Sequence, residues 1–424
     1  MLMFLLALLT LASTQASVPE DVKLVKAYIK IHGNETFKEP LGYLKFPYLV
    51  PAGPYNQSWD WDSFFTGVAL LDYGSSRYLA GSMKNFLAST SENGFTAICQ
   101  SPDDLHPSCS SMPNNSTAVA AHAKPLIIQG AWLAANHEND YEQFREFVPK
   151  MKALLNYWEE NRFDTKTGLY VWHDQMEGGA DNMVISPCPS ERSDCWVEKG
   201  CGDSLSAADV MSWLVREHRA MALFMAKFGD NDASLQHTEK STTIMTTLNK
   251  VLLKSGSYIA YNVTSQSQIT NSVYLLGFPL FIGSDVIDQQ QAYKIVSRLS
   301  EPDMNSPWGV RSTSSLDPNY SNENLIYPYS NWRGPVWVVS NAILAYGMNN
   351  YGFNKEAVRL AEKTIQVLAK DLRDTGTWHE CFDSSEEGEA TTGMGLAAEG
   401  FLSWNVLGIN LLDYVKANRN PFDI

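Results

Sequence analysis

The stretch SLSAADVMSWLVREHRAMALFMAKF, residues 204–228, decides the fold class. Leu205, Ala208, Val210, Met211, Leu214, Ala220 and Leu223 fall largely on one broad face of a 3.6-residue repeat, and neither Gly nor Pro interrupts the run. Extended outward, the same periodicity predicts helices over about 20–31, 62–73, 76–89, 121–137, 140–160, 231–253, 269–281, 285–299, 334–350, 354–371 and 396–416. Strand-like alternation is scarce, and Gly or Pro with polar clusters separates the segments. The expected class is all-α. Helices in consecutive pairs with alternating long and short loops suggest a toroid of six helical hairpins, although the pattern alone does not close a ring.

The long loops fall at about 32–61, 91–120, 161–203, 300–333 and 372–395 and hold most of the Trp, Gly and isolated carboxylates. Function usually sits on such loops. The chain has 424 residues, 44% of them hydrophobic and 19% charged, which excludes bulk disorder. Its net charge of -15 disfavours a nucleic-acid partner, since neutralising phosphates needs a basic surface. The 12 Trp and 19 Tyr suit a carbohydrate partner, because sugar CH faces pack on rings, but large cores are aromatic too.

Residues 1–16 open with an apolar run, too short to span a bilayer, followed by Ser13-Thr14-Gln15-Ala16. This reads as a secretory signal peptide cleaved near Ala16, although its start carries no Lys or Arg. The expectation is a secreted protein with one domain over 17–424 and no membrane span. Sequons at Asn34, Asn56, Asn114, Asn115, Asn262 and Asn319 agree with secretion, with Asn56 expected to stay unglycosylated. Six cysteines permit three disulfides. Local bridges are expected, Cys99–Cys109 and one within Cys188, Cys195 and Cys201, leaving Cys381 as a thiol.

Four constellations carry chemistry. In Pro54 to Phe65, the rings of Tyr55, Trp59 and Trp61 interleave with Gln57, Asp60 and Asp62. Rings can stack on a pyranose while the polar groups bind its hydroxyls; a helix start capped by Asp62 or Ser63 is the plainer alternative. In Gly178-Gly179-Ala180-Asp181-Asn182-Met183 a carboxylate follows two glycines among apolar residues. Its pKa can rise there, so that it donates a proton; an Asx-turn would use the same residues. Trp332-Arg333-Gly334-Pro335-Val336-Trp337 offers Arg333 as a bidentate grip, or as half of a structural ion pair. His379-Glu380-Cys381-Phe382 sets Glu380 among aromatics, and Glu399-Gly400-Phe401 adds another acid. Nucleotide-binding, zinc-protease and serine-hydrolase motifs are absent from the sequence.

Together, from about residue 40 to the C-terminus, these motifs resemble the inverting (α/α)6-barrel glycoside hydrolases. That group is family 63-like and includes trehalases, processing α-glucosidases, and mannosylglycerate and glucosylglycerate hydrolases. The closest likeness is to the last two, through Tyr55 to Asp62. The resemblance implies Asp181 as general acid and Glu380 as general base, with roughly 6.5–9.5 Å between their carboxyls to admit a water. It implies a substrate site of Tyr55, Gln57, Trp59, Trp61, Asp62, Gln129, Trp332, Arg333, Trp337 and Glu399, with Gln129 carried by the segment that starts at Lys124-Pro125. The implied partner is a small carbohydrate, and no metal or organic cofactor is needed. Gly178-Gly179-Ala180 departs from the family's usual S-G-x before the acid, and Cys381-Phe382 from the usual residues after the base. Two rivals stay open: a trehalase or oligosaccharide α-glucosidase with the same pair, and a secreted sugar-binding protein without catalysis.

Overall fold

A computed structural model describes residues 17–104, 121–173, 175–185, 205–323, 330–385 and 393–424. The described residues form thirteen α-helices. They are α1 (Val18–His32), α2 (Asp60–Ala69), α3 (Ser76–Ser89), α4 (Ile127–Glu138), α5 (Val148–Asn161), α6 (Gln175–Gly178) and α7 (Ala208–Lys227). After these come α8 (Asn231–Thr247), α9 (Phe278–Ile282), α10 (Gln289–Leu299), α11 (Val338–Asn350), α12 (Asn354–Thr375) and α13 (Leu411–Lys416).

Two kinds of helix alternate, and composition explains both. In α11 every residue from Val338 to Asn349 is buried, and in α2 every residue is buried except Trp61. A helix that is apolar all round belongs inside. In contrast α12 buries one stripe, including Ala357, Leu360, Ala361, Thr364, Ile365 and Leu368, and turns charges outward. That spacing covers an inner layer from outside. The inner elements pack in the order α2, α4, α7, α9, α11 and the 3-10 turn Ser403–Ile409, and that turn packs back against α2. Helices α3, α8 and α12 lie against α2, α7 and α11 respectively. One contiguous apolar core runs from Val25 to Phe422.

The helical expectation needs two corrections. Short antiparallel ladders join the loops, including Ser58–Trp59 with Cys99–Gln100, and His379–Phe382 with Gly395–Glu399. The expected helix 396–416 therefore does not exist as such: it is a strand, a 3-10 turn and a short helix. Leu396-Ala397-Ala398-Glu399 has helical propensity, but pairing with His379–Phe382 overrides it. Likewise 269–281 yields only a 3-10 turn, Tyr274–Gly277, and the short α9. Residues 1–16, Cys109, Cys188, Cys195, Cys201, Asn114 and Asn115 lie outside the described residues, so the leader and both local bridges do too. Cys381 is a buried free thiol, as expected. Among the described residues, no helix is long and apolar enough to cross a membrane.

Candidate active site

The first motif is bound to the last. Pro51 O accepts the N–H groups of Leu402 and Ser403, each at 3.0 Å, and the rings of Tyr55 and Phe401 meet edge to face at 5.8 Å. Asp62, buried in the first turn of α2, accepts the Ser403 hydroxyl at 2.6 Å. Burial pushes the Asp62 carboxyl up to about 7 against that hydrogen bond, while Asp60 adds to the rise and Lys124 opposes it. Lys124 is itself buried, pairs with Asp60 at 3.4 Å and lies 4.8 Å from the centre of the Trp61 ring.

Glu380 reaches the same place from the strand His379–Phe382. The ladder there has a bulge: His379 faces Glu399 and Cys381 faces Leu396, so Ala397 and Ala398 together face Glu380. Such a bulge bends the strand and re-aims a side chain. It holds Ala397 at φ +65°, a strained value for a residue with a Cβ. Tyr55 Oη donates to Glu380 Oε2 at 3.1 Å. Burial first, then the charges of Asp62 and Asp181, push Glu380 up to about 8, while Tyr55 and the Ala398 N–H favour its ionised form. Glu380 is therefore close enough to Asp62 and to Asp181 to feel both charges.

Asp181 stands on the loop after α6. Glu177 in α6 is fully buried and takes Arg162 at 3.0 and 3.1 Å, together with the N–H groups of His122 and His173. Gly179, at φ +82°, passes so close to the site floor that a Cβ would stand 2.8 Å from Lys124 Cε and 2.9 Å from the Trp61 ring. The glycine before the acid is needed for that approach. Beyond the acid, Asn182 Oδ1 accepts the Trp332 N–H at 2.7 Å, and Asn182 O accepts Arg333 Nε at 3.2 Å. Those contacts tie the second motif to the third. Among the described residues no three His, Cys, Asp or Glu side chains gather to hold a metal ion.

The profile described as "Mannosylglycerate hydrolase MGH1-like glycoside hydrolase domain" matches residues 55–401. The chain belongs to this glycoside hydrolase family. The two ends of the match, Tyr55 and Phe401, are the ring neighbours that close the site. A mannosylglycerate hydrolase from Rubrobacter radiotolerans is 29% identical over 199 residues, 46% of this chain and 40% of that protein. The chain thus spans well under half of that relative in the match. A periplasmic trehalase from Escherichia coli is 18% identical over 89% of this chain and 70% of its own length. Among solved structures, a family 63 mannosylglycerate hydrolase from Thermus thermophilus in complex with glucose superposes with a TM-score of 0.64 at 18% identity, covering 93% of this chain and 98% of that one. A neutral trehalase from Saccharomyces cerevisiae gives 0.63 at 16% identity, covering 93% and 82%. These likenesses carry the fold.

Within this family member the motif residues divide into those that face the site and those beneath it. Tyr55, Trp61, Asp62, Asp181 and Glu380 converge. Trp332 and Trp337, expected in the substrate site, are both fully buried and stacked at 3.9 Å, and Trp332 packs against Trp61 at 5.8 Å. Their indole N–H groups go to Ser330 Oγ and Asn331 O, each at 2.9 Å. Gln129 is expected there too. It is fully buried, donates to Pro125 O at 2.6 Å and Trp213 O at 3.1 Å, and accepts Arg216 Nε at 2.9 Å, so its side chain is held inside the inner layer. Trp59 packs in a side cluster with Ile98, Cys99 and Ala121. Glu399 is exposed beside His379, across the ladder from the strand that carries Glu380. Gln57 is partly exposed on the loop before α2, and Arg333 is half-buried.

The sequence reading missed Ser403, Trp404 and Asp209. Trp404 packs on Trp61 at 5.1 Å, close in sequence to the Gly400-Phe401 motif that marks the region. Asp209 opens α7 beneath Trp172, whose Nε1 donates to it at 3.1 Å, and burial pushes it up to about 6. As a lone acid at a helix start it gave no signal beyond an N-terminal charge.

Proposed function

We propose that the protein is a secreted, inverting hydrolase acting on the α-O-glycosidic bond of a small glycoside such as glucosylglycerate or mannosylglycerate. We further infer that its six inner elements and their outer partners form an (α/α)6 toroid, a single catalytic domain over 17–424. The cyclic packing order of the inner elements supports the ring. The observation that carries the activity is the buried Glu380, hydrogen-bonded to Tyr55 at 3.1 Å and within reach of the charges of Asp62 and Asp181.

In this reading Glu380 takes a proton from water as the water oxygen bonds to the anomeric carbon. The bond from that carbon to the leaving oxygen breaks, and Asp181 gives its proton to that oxygen. Tyr55 and the Ala398 N–H favour the ionised Glu380, the state a base needs. Trp61 offers the glycone a ring face, and Asp62 accepts from its hydroxyls. Arg333 and Gln57 face the leaving group, Arg333 as the cation for a glycerate carboxylate.

Proton NMR from the first minutes of reaction tests this with glucosylglycerate, mannosylglycerate, trehalose and a short α-glucan. Early β-anomer is expected from the glycerate glycosides, and one β- with one α-glucose from trehalose; early α-anomer from the glycerate glycosides, or α-glucose alone from trehalose, overturns inversion. A trehalase is the second reading, favoured because the trehalase match spans 89% of the chain and the mannosylglycerate hydrolase match 46%. Cleavage of trehalose alone selects it.

A further inference from the structure

Asp181 lies between two fixed points that belong to different parts of the fold. On one side, the buried Glu177–Arg162 pair holds α6, and Gly179 rests on Trp61 and Lys124. On the other side, Asn182 is bonded through both its side chain and its backbone. Its Oδ1 accepts the Trp332 N–H at 2.7 Å, its Nδ2 donates to Asn331 Oδ1 at 3.3 Å, and its carbonyl accepts Arg333 Nε at 3.2 Å. Asn331 is rigid in turn. It is buried, donates to Ser321 O and Glu323 O, each at 2.9 Å, and its carbonyl accepts Trp337 Nε1 at 2.9 Å. Asp181 itself is only partly buried, so packing alone does not fix its carboxyl.

We propose that Asn182 is a positioning residue for Asp181: its amide, clasped to Asn331 and the Trp332 N–H, sets where the acid's proton is delivered. The proposal rests on Asp181 being the general acid. A misplacement of about 1 Å in such a group costs on the order of 10²-fold in rate. A purely structural Asn182 would affect all substrates alike. A positioning Asn182 affects only those whose leaving group needs a proton.

The test compares an α-O-glycoside with the matching α-glycosyl fluoride, whose fluoride leaves without protonation. Asn182→Ala is expected to lose about 10²-fold in kcat on the O-glycoside with little change in KM, and to stay within about threefold on the fluoride. Asn182→Asp keeps the acceptor for the Trp332 N–H but loses the donor to Asn331 Oδ1, and is expected to show the same split between the substrates with a loss on the O-glycoside no larger than that of the Ala variant. It carries the same comparison if the Ala variant fails to fold. Parallel loss on both substrates, or no loss on either, overturns the proposal. Asp181→Asn is run alongside. If it also fails to separate the two substrates, the acid assignment falls, and the proposal with it; if it separates them and Asn182→Ala does not, only the proposal falls.

Discussion

The two carboxylates proposed for catalysis are mounted in opposite ways. Glu380 sits on a paired strand, buried, next to a residue whose backbone is held at both its groups: the His379 N–H donates to Asp371 at 2.9 Å, and Asn405 Nδ2 donates to His379 O at 2.7 Å. Asp181 sits on a loop, partly exposed, between a glycine contact and an asparagine clasp. The contrast follows from the two tasks. A base that selects one water gains from a fixed, desolvated site, where hydrogen bonds can tune it. The acid meets the leaving group at the open side of the site, where a loop held at both ends can place it without burying it.

The strongest way to break this comparison is to remove each carboxylate. Glu380→Gln should lose on the order of 10²–10⁴-fold on every substrate, the fluoride included. Asp181→Asn should lose a similar factor on O-glycosides and little on the fluoride, read by steady-state kinetics. Full turnover in Glu380→Gln with loss in Glu399→Gln would move the base.

Next come the two glycines that let the mounts form. A methyl at Gly395 would overlap the His379 ring and the Asp371 carboxylate. Gly395→Ala should therefore cost roughly 1–3 kcal/mol in denaturant unfolding and reduce activity on both substrates. Gly179→Ala forces a Cβ into Trp61 at φ +82° and should spare the fluoride more than the O-glycoside. Equal effects of the two variants would mean the mounts are not independent.

Acidity sharpens the comparison. Glu380 must be ionised to act, and its value is raised to about 8, so kcat/KM should fall as pH drops below that region. The measured midpoint belongs to the Asp62–Asp181–Glu380 cluster as a whole. For stability, a folded-state value above the ordinary 4.5 means that the group's contribution is full below about pH 4.5 and is lost as pH rises through about 8. Glu380→Gln removes that loss. Its melting temperature relative to the parent should therefore increase from about pH 4.5 to about pH 8, and a gap that shrinks with pH would contradict the buried-base picture.

The smallest effect concerns the bulge. Ala397→Gly relieves a left-handed φ that costs an alanine about 1 kcal/mol, so chemical denaturation should show a gain of up to that size. Activity should hold, since no side chain that touches substrate changes.

Much of this was legible in the sequence. Helical class followed from periodicity in segments such as 204–228 and 354–371, because a buried face writes its spacing into the chain. The Tyr55-to-Asp62 motif stood out by its interleaved rings and carboxylates, whereas Asp181 and Glu380 were set apart only by the resemblance to a family. Tertiary structure alone decided other things. Gln129, Trp332 and Trp337 share the site's motifs yet lie beneath it, because a motif marks residues that build a site as well as residues that touch a ligand. The strand at Gly395–Glu399 reads as helix locally and becomes a strand only by pairing with His379–Phe382. The raised pKa of Glu380 likewise has no local cause: it arises from burial and from Asp62 and Asp181, which the fold brings to it from distant parts of the chain.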